Sequence, residues 1–595
     1  MKKILVVGGS SFDTLHLKDR TVKCAGGAGM YTAMAARRCG AQVTMFSIRP
    51  DPYPDFLQPV VEHLTEWLGP LVSPEEQPRF EISYGQETTD YLDIFLGSIG
   101  LLSPMMLPED LSDYDLIHVI QRATLSRQLS FVQACRDRGA KKISIGTCFA
   151  VLDKNPQDLH ALIEASDYFF LNELEAGLLF GSLDAAHAET GKVFFVTMGK
   201  KGACIIQGDT VTTIPAVFAN ELDPTGAGDT FCGATLAYLL QKQHPIMAAR
   251  RATVLAAEMI EQVGPTALLS DDPPPQFPLE SSVQINEQQV RHIADIMSTL
   301  SAVVPFHFTG PGYPPVGHPK TVEYFFAATL QQFSFWTERN GRYNLPLIAE
   351  IGGVERKGSD YLWEAYRRAV DQDPDYCSPQ RQANLSHADM LELFRADNGA
   401  DPMPALELHL QKAHDYGRDM LALGLTPQAL LNKALESDQP LQTFLELLDH
   451  IGGYKEDPLR KKSSLLAMIL NQRPETFLPL RDDEELDPVI DYHALRSCLR
   501  MGLIDVMDEQ LHKRLRSRAL VSPAEEWAIR VPAYLATQQV ADLSAKSAGA
   551  VDQYFFNARK RCPEMSEPQC QLCEVDPICA HRKELFQPVL RTSFY

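Results

Sequence analysis

The sequence predicts two domains of different class. An α/β domain with a mostly parallel sheet and a small β lid occupies residues 1–268, and an all-α domain occupies residues 282–555. Three observations carry this. Residues 1–268 alternate short apolar runs (Ile4–Val7, Val43–Phe46, Lys142–Ile145, Tyr168–Leu171, Val193–Thr197) with helix-like stretches, the rhythm of strands joined by crossover helices. Ser270-Asp-Asp-Pro-Pro-Pro-Gln-Phe-Pro278 cannot continue a helix and marks residues 269–281 as a linker. Beyond Val283 helical periods dominate, as in Asp389–Phe394, Ala405–Leu421, Pro427–Leu448 and Leu459–Leu470, while β-branched runs nearly vanish. The lid is expected at 78–97, where Phe80, Ile82, Tyr84, Tyr91 and Ile94 alternate with polar residues as in a two-stranded flap.

At 595 residues the chain is too long for one core. Its 45% apolar and 22% charged residues are those of an ordinary globular protein. The net charge is −22, and residues 282–595, with 33 Lys+Arg against 43 Asp+Glu, hold −10 of it. Neither half is basic, so duplex nucleic acid is disfavoured as a partner and a small molecule is expected. No apolar run approaches the eighteen or so residues of a membrane span. Met1–Lys3 and the short run Ile4–Val7 read as the start of a first buried strand, so a cytoplasmic protein with no membrane contact is expected. Eight of the twelve cysteines are scattered, as buried small apolar residues are in a reducing compartment. The other four fall close together near the C-terminus.

The strongest local signal is Asp223-Pro-Thr-Gly-Ala-Gly-Asp-Thr-Phe-Cys-Gly-Ala234. Gly226, Ala227 and Gly228 let the backbone curl so that amide N–H groups converge, and the following helix adds its positive end. That makes a cradle for charge developing on a transferring phosphoryl group, with Asp229 at its mouth to take a hydroxyl proton. A helix-capping glycine turn is the plainer use of such a segment.

This segment resembles the second signature of the PfkB/ribokinase sugar and nucleoside kinases, and the rest of that family's pattern follows in order over about the first 265 residues. Ala25-Gly-Gly-Ala-Gly29 is similar to the first glycine motif, which implies that Gly26 and Gly27 pack against a sugar. Asp13 matches the acid that holds sugar hydroxyls. Asn172-Glu-Leu-Glu175 matches the motif that organises Mg²⁺ and phosphates, which implies that role for Asn172 and Glu175. Val196-Thr-Met-Gly-Lys-Lys-Gly202 matches the strand-turn beside the nucleotide, which implies Thr197, Gly199 and Gly202 there. Tyr31 departs from the family, standing where many members have Asn. The resemblance implies ATP and Mg²⁺, and it leaves open a monovalent cation and a homodimer.

Cys562, Cys570, Cys573 and Cys579, in residues 556–595, form a four-thiolate set, and soft ligands of this kind select an iron–sulfur cluster or Zn²⁺. The spacing resembles the [4Fe–4S] loop of endonuclease III-like glycosylases, with a first gap one residue wider. Val489-Ile-Asp-Tyr-His-Ala-Leu-Arg496 resembles the segment carrying the catalytic aspartate of helix-hairpin-helix glycosylases, here Asp491, and the Lys461-Lys462 segment resembles the helix after their hairpin. An N-cap on the helix that follows is the plainer use of Asp491. Motifs from His318 to Glu407 resemble, in order and character, the queuosine salvage proteins, N-glycosylases with a related helical core. Their Asp-Tyr-Arg motif would fall on Asp491-Tyr492, with His493 in place of Arg. Phe333, Phe335, Trp336 and Tyr361 are candidates to stack on a flat base, though core packing accounts for aromatics equally well.

Three readings follow. The first is a bifunctional salvage enzyme that phosphorylates a nucleoside (the resemblance allows a 7-deazaguanine type) and then hydrolyses its N-glycosidic bond. The second is a repair-like glycosylase fused to a sugar kinase, which the acidic second half disfavours. The third is a kinase with a non-catalytic iron–sulfur module. In the first reading Lys461, Lys462, Lys357 and Arg496 are candidates for a 5′-phosphate.

Overall fold

The computed structural model describes residues 1–17, 20–84, 89–121, 123–148, 156–275 and 282–595. It divides into two compact units, Met1–Phe277 and Pro278–Tyr595.

The first unit is built on a nine-stranded sheet. Its strands are β1 (Lys3–Val7), β4 (Gln42–Phe46), β5 (Glu66–Leu68), β8 (Leu116–Val119), β9 (Ile143–Gly146), β10 (Tyr168–Asn172), β11 (Val193–Thr197), β12 (Ala203–Gln207) and β13 (Thr210–Ile214). Their order is β13-β12-β11-β10-β9-β8-β1-β4-β5. All pairs are parallel except β11–β12 and β12–β13. The parallel strands are mostly apolar because both faces are covered, with Thr44, His118 and Ser144 among the buried exceptions. On one side lie α1 (Ala28–Arg38), α3 (Ala227–Leu240) and α4 (Pro245–Ile260); the other side has its own apolar core around Leu5, Phe131 and Phe169. A short helix, α2 (Glu173–Phe180), follows β10.

The lid is larger than the sequence suggested. Strands β6 (Arg79–Tyr84) and β7 (Thr89–Phe95) pair antiparallel as expected, with the tip at 85–88 outside the described residues. They extend a four-stranded sheet, β3-β2-β6-β7, whose other members are β2 (Ser11–His16) and β3 (Thr21–Gly26). Asp13 therefore sits within the lid sheet, opposite Cys24 and Phe80. The first residues of the expected 269–281 linker stay on this unit: Arg37 donates to the Ser270 carbonyl at 2.9 Å and pairs with Asp271. Residues 276–281 of that linker lie outside the described residues.

The second unit is helix-rich but not all-α, which corrects the expectation. Three short antiparallel pairs join the helices: Val283–Ile285 with Ile504–Val506, Trp336–Arg339 with Arg342–Pro346, and Ile348–Ile351 with Val354–Lys357. Two of these are hairpins turned by Asn340-Gly341 (φ 53° and 67°) and Gly352-Gly353 (φ 63° and 73°). Left-handed residue pairs of this kind suit two-residue turns whose twist matches the strands. The helices used below are α5 (Lys461–Gln472), α6 (Tyr492–Met501), α7 (Pro523–Ser544) and α8 (Ala548–Arg561), packed around one apolar core that runs from Val283 to Tyr595. Among the described residues no helix is long and apolar enough to cross a membrane.

Candidate functional site

In the first unit, the ends of β10 and β11 deliver the motif residues to the carboxyl edge of the parallel strands, where open α/β sheets bind ligands. Gly226 starts α3 in the left-handed region (φ 82°), and no side chain among the described residues caps it. A Cβ here would lie 2.5 Å from the Tyr31 ring, so the turn needs glycine for both conformation and space. Asp229 lies in the first turn of α3. It is partly accessible yet surrounded by protein, and that desolvation, reinforced by the Glu175 charge, pushes its carboxyl up to about 7. A base with this affinity holds the proton of an attacking hydroxyl near neutral pH.

Asn172 and Glu175 form a capping box on α2: Asn172 Oδ1 accepts from the Glu175 amide at 2.9 Å, and Glu175 Oε2 accepts from the Asn172 amide at 2.8 Å. The box fixes a buried carboxylate beside Asp229. Thr197 ends β11 with its hydroxyl 3.4 Å from the Leu171 carbonyl. Gly199 (φ 54°) and Gly202 (φ 96°) make the turn that follows. Asp13 accepts from the Ser11 hydroxyl at 2.6 Å, and burial pushes it up to about 6. Gly26 admits it closely, since an added Cβ would overlap Asp13 Oδ2 at 1.8 Å. Tyr91 of the lid feels the charge of both Asp13 and Asp229, which with burial raises its hydroxyl. Next to Asp13, a cavity of about 260 Å³ is lined by Ser10, Ser11, Gln121 and Arg127 and walled by Phe80, Ile99 and Ile120. Tyr84, one of the expected lid residues, joins lid to cradle: its hydroxyl lies 2.5 Å from Asp223 Oδ1 and 2.6 Å from Thr225 Oγ1.

In the second unit, Asp491 caps α6, with Oδ1 accepting from the His493 and Ala494 amides at 2.8 and 2.9 Å. Lys461, at the start of α5, donates to the Gln332 carbonyl at 2.9 Å; burial lowers it to about 8 against the pull of Asp491. Asp552 on α8, absent from the sequence reading, completes this group: burial and the Asp491 charge push it well above the ordinary carboxylate range. Lys462 points elsewhere, donating to the Leu330 carbonyl at 2.9 Å over the Phe333 ring.

Three of the four aromatic candidates pack into cores. Trp336 stacks on Tyr343 at 5.8 Å in a small separate core with Phe586 and Val589. Tyr361 is fully buried and donates to the Phe394 carbonyl at 2.9 Å. Phe333 stacks on His409 at 4.2 Å. Phe335 alone approaches the Asp491 end: a Cβ on Gly358 would touch both Phe335 and the Tyr492 hydroxyl.

Cys562, Cys570, Cys573 and Cys579 line one cavity together with Arg496, Arg500 and Arg561. Arg500 Nη1 lies 3.2 Å from Cys562 Sγ. Burial pushes the Cys579 thiol up to about 11, and the other three sulfurs add to it, as their proximity requires. Four soft donors on one cavity fit a thiolate-held metal centre. Cys570, Asp576 and His581 also bring donor atoms within 4.8 Å of one another, a set suited to a single ion.

Comparison with known proteins finds one matched segment in each unit. Residues 115–272 match the pfkB family carbohydrate kinases, and residues 313–455 match the queuosine salvage proteins. The chain is 24% identical over 246 residues to cytidine kinase of Thermococcus kodakarensis, covering 40% of this chain and 88% of that one. It is 25% identical over 283 residues to ribokinase of Bacillus subtilis, covering 44% and 92%. The ribokinase structure of Cryptococcus neoformans with ADP superposes with a TM-score of 0.38 at 20% identity, covering 44% of this chain and 94% of that one.

Proposed function

From a pfkB-family kinase domain in the N-terminal half and a queuosine-salvage domain in the C-terminal half, we propose a two-step nucleoside salvage enzyme. The first unit transfers the γ-phosphoryl of ATP to the 5′-hydroxyl of a nucleoside. The second unit then hydrolyses the N-glycosidic bond of the monophosphate and frees the base.

The observation that carries the kinase step is Asp229 in the first turn of a helix that starts at left-handed Gly226 with no side-chain cap among the described residues. Asp13 holds the sugar, Asp229 takes the hydroxyl proton, and the Gly226 and Gly228 amides receive the phosphoryl charge, with the Ala227 amide turned to the Pro224 carbonyl at 3.2 Å. Glu175 and Asn172 would hold the Mg²⁺ that screens the phosphates, with Thr197, Gly199 and Gly202 beside the nucleotide. The apolar wall of Phe80, Ile99 and Ile120 favours a substrate that carries a flat base over a free sugar.

For the second step, Asp491, Asp552 and Lys461 are the acid–base group, Asp491 stabilising a cationic sugar as the base departs. Cys562, Cys570, Cys573 and Cys579 would hold a [4Fe–4S] cluster, which when bound cross-links the chain end to α8. Anaerobically purified protein should then carry about four irons per chain and absorb near ~400 nm. Stoichiometric zinc without iron would replace the cluster by the zinc alternative.

One observation favours a second reading: Asp491 Oδ1 is engaged as a helix cap, a structural use of the acid. In that reading the C-terminal unit is a non-catalytic metal-bearing module. A panel of nucleosides with ATP and Mg²⁺, followed for ADP and for free base, separates the two. The two-step reading expects base release to require ATP, and expects the cognate 5′-monophosphate to be cleaved without it. Full-rate cleavage of the unphosphorylated nucleoside would reverse the order of steps, and ADP without any base release would leave the second reading.

A further inference from the structure

Helices α6 and α8 each carry an acid near the start (Asp491 and Asp552) and meet the cysteine cavity at the other end, through Arg500 and Cys562. At about 1.5 Å per residue, the nine residues from Asp491 to Arg500 set the Cys562 end of the cavity roughly 14 Å along the helix from Asp491, while Arg496 and Tyr554 line its nearer side. Cys562, at the far end of α8, is ten residues beyond Asp552, so the cysteine loop reaches the acids through intervening side chains.

Glu564 spans that gap. Two residues beyond Cys562 the chain turns back and buries this side chain to 1% exposure. Glu564 Oε2 accepts from Lys357 Nζ at 2.6 Å. Its other oxygen lies 3.4 Å from Arg496 Nη2 and 3.7 Å from His493 Nδ1, without a hydrogen-bond partner among the described residues. Arg496 in turn donates to His493 Nδ1 at 2.9 Å and to Gln587 Oε1 at 3.0 Å. Lys357 ends the Val354–Lys357 strand beside Gly358, the residue that faces the Tyr492 hydroxyl. One carboxylate from the cysteine loop thus ties the second hairpin to the first turn of α6. Arg500 fixes the root of that carboxylate, donating to the Pro563 carbonyl at 2.9 Å and to the Leu585 carbonyl at 2.9 Å.

We propose that Glu564 is a positioning residue through which the metal-loaded cysteine loop holds Lys357 and the His493–Arg496 pair at the Asp491 end of the C-terminal site. The proposal rests on the base-releasing reading of that site. A buried carboxylate with two cationic neighbours suits the role because removing one partner leaves the others uncompensated, so the arrangement persists only while the loop keeps Glu564 in place. The sulfurs anchor the loop, and Glu564 transmits its order to the site.

The test uses the full chain, metal-loaded and after chelation, with hydrogen exchange followed at residues 354–361 and 491–497. In the wild type, chelation should speed exchange of both segments by about tenfold or more. In metal-loaded Glu564→Gln both segments should already exchange at that faster rate, with metal content and visible spectrum unchanged, and chelation should add less than about twofold. Lys357→Met, at a side chain 30% exposed, should reproduce the uncoupling for residues 354–361. With a nucleotide that the wild type cleaves, Glu564→Gln should raise KM more than it lowers kcat. Equal effects of chelation on wild type and Glu564→Gln would overturn the proposal. So would loss of metal from both variants, which would make Glu564 part of the loop's own fold. If the wild type frees no base from any nucleotide, the base-releasing reading fails, and the exchange results still decide the role of Glu564.

Discussion

Helix α3 begins at Gly226, a left-handed residue with no side-chain cap, and carries Asp229 one turn in. Helix α6 begins at Asp491, whose own carboxylate accepts the first amides of the helix. Both helices put an acid beside a positive helix end, yet the acid does different work in each. At α3 the helix end stays available to an anionic ligand, and Asp229 keeps its carboxylate for a proton. At α6 one carboxylate oxygen is already engaged with the backbone, so any chemistry must be shared with capping. An acid in a helix's first turn is therefore a stronger sign of a ligand when nothing caps the helix than when the acid is itself the cap.

The largest expected effect sharpens the first half of that comparison. Asp229→Asn should keep ATP binding and lower phosphoryl transfer by about 10²–10⁴-fold, the usual loss when a general base is removed. A variant that turns over at the wild-type rate would move the base elsewhere.

The second half is broken or kept by Asp491→Asn. Asn caps a helix about as well as Asp, so the melting temperature should hardly move. Base release should nevertheless fall by at least about 10²-fold and the monophosphate accumulate, if Asp491 acts on the sugar as carboxylates do in glycoside hydrolysis. Unchanged base release would reduce Asp491 to its cap.

The pH dependence of the kinase step comes next. Asp229 is pushed up to about 7, so its base form, and with it kinase kcat/KM, should be lost as the pH falls through that value. Burial is the main cause and Glu175 the second, so Glu175→Gln should move this limb to lower pH without abolishing it, in a profile taken with Mg²⁺ saturating. A limb that stays in place would show that Glu175 carries no charge felt at Asp229.

The smallest effect is on stability. Asp491→Ala removes the cap and should cost about 1 kcal/mol in denaturant unfolding of the C-terminal unit, against a few tenths for Asp491→Asn. Equal losses for the two would mean that the cap contributes little.

Much of the first site was legible because a glycine-rich turn is a local device: Gly226 supplies the left-handed residue (φ 82°) that starts α3. The two hairpins of the second unit were equally local, with Asn340-Gly341 and Gly352-Gly353 as their signals, and were passed over because the helical periods around them dominate. Asp552 and Glu564 carried no such signal. Each is one acid among many until packing buries it.

What the sequence determined by itself is whatever depends on backbone geometry and periodicity: the parallel α/β unit, the cradle with Asp229, the clustered cysteines and the proline-rich stretch between the halves. Only the tertiary structure decided which polar groups lose water together. It set Asp13 inside the lid sheet, withdrew Trp336 and Tyr361 into cores, engaged Asp491 as a cap, and brought Glu564 to Lys357 across 207 residues of chain. The physical reason is that a side chain's charge state and partners follow from desolvation and distance, and both are properties of the packed fold and not of the local run of residues.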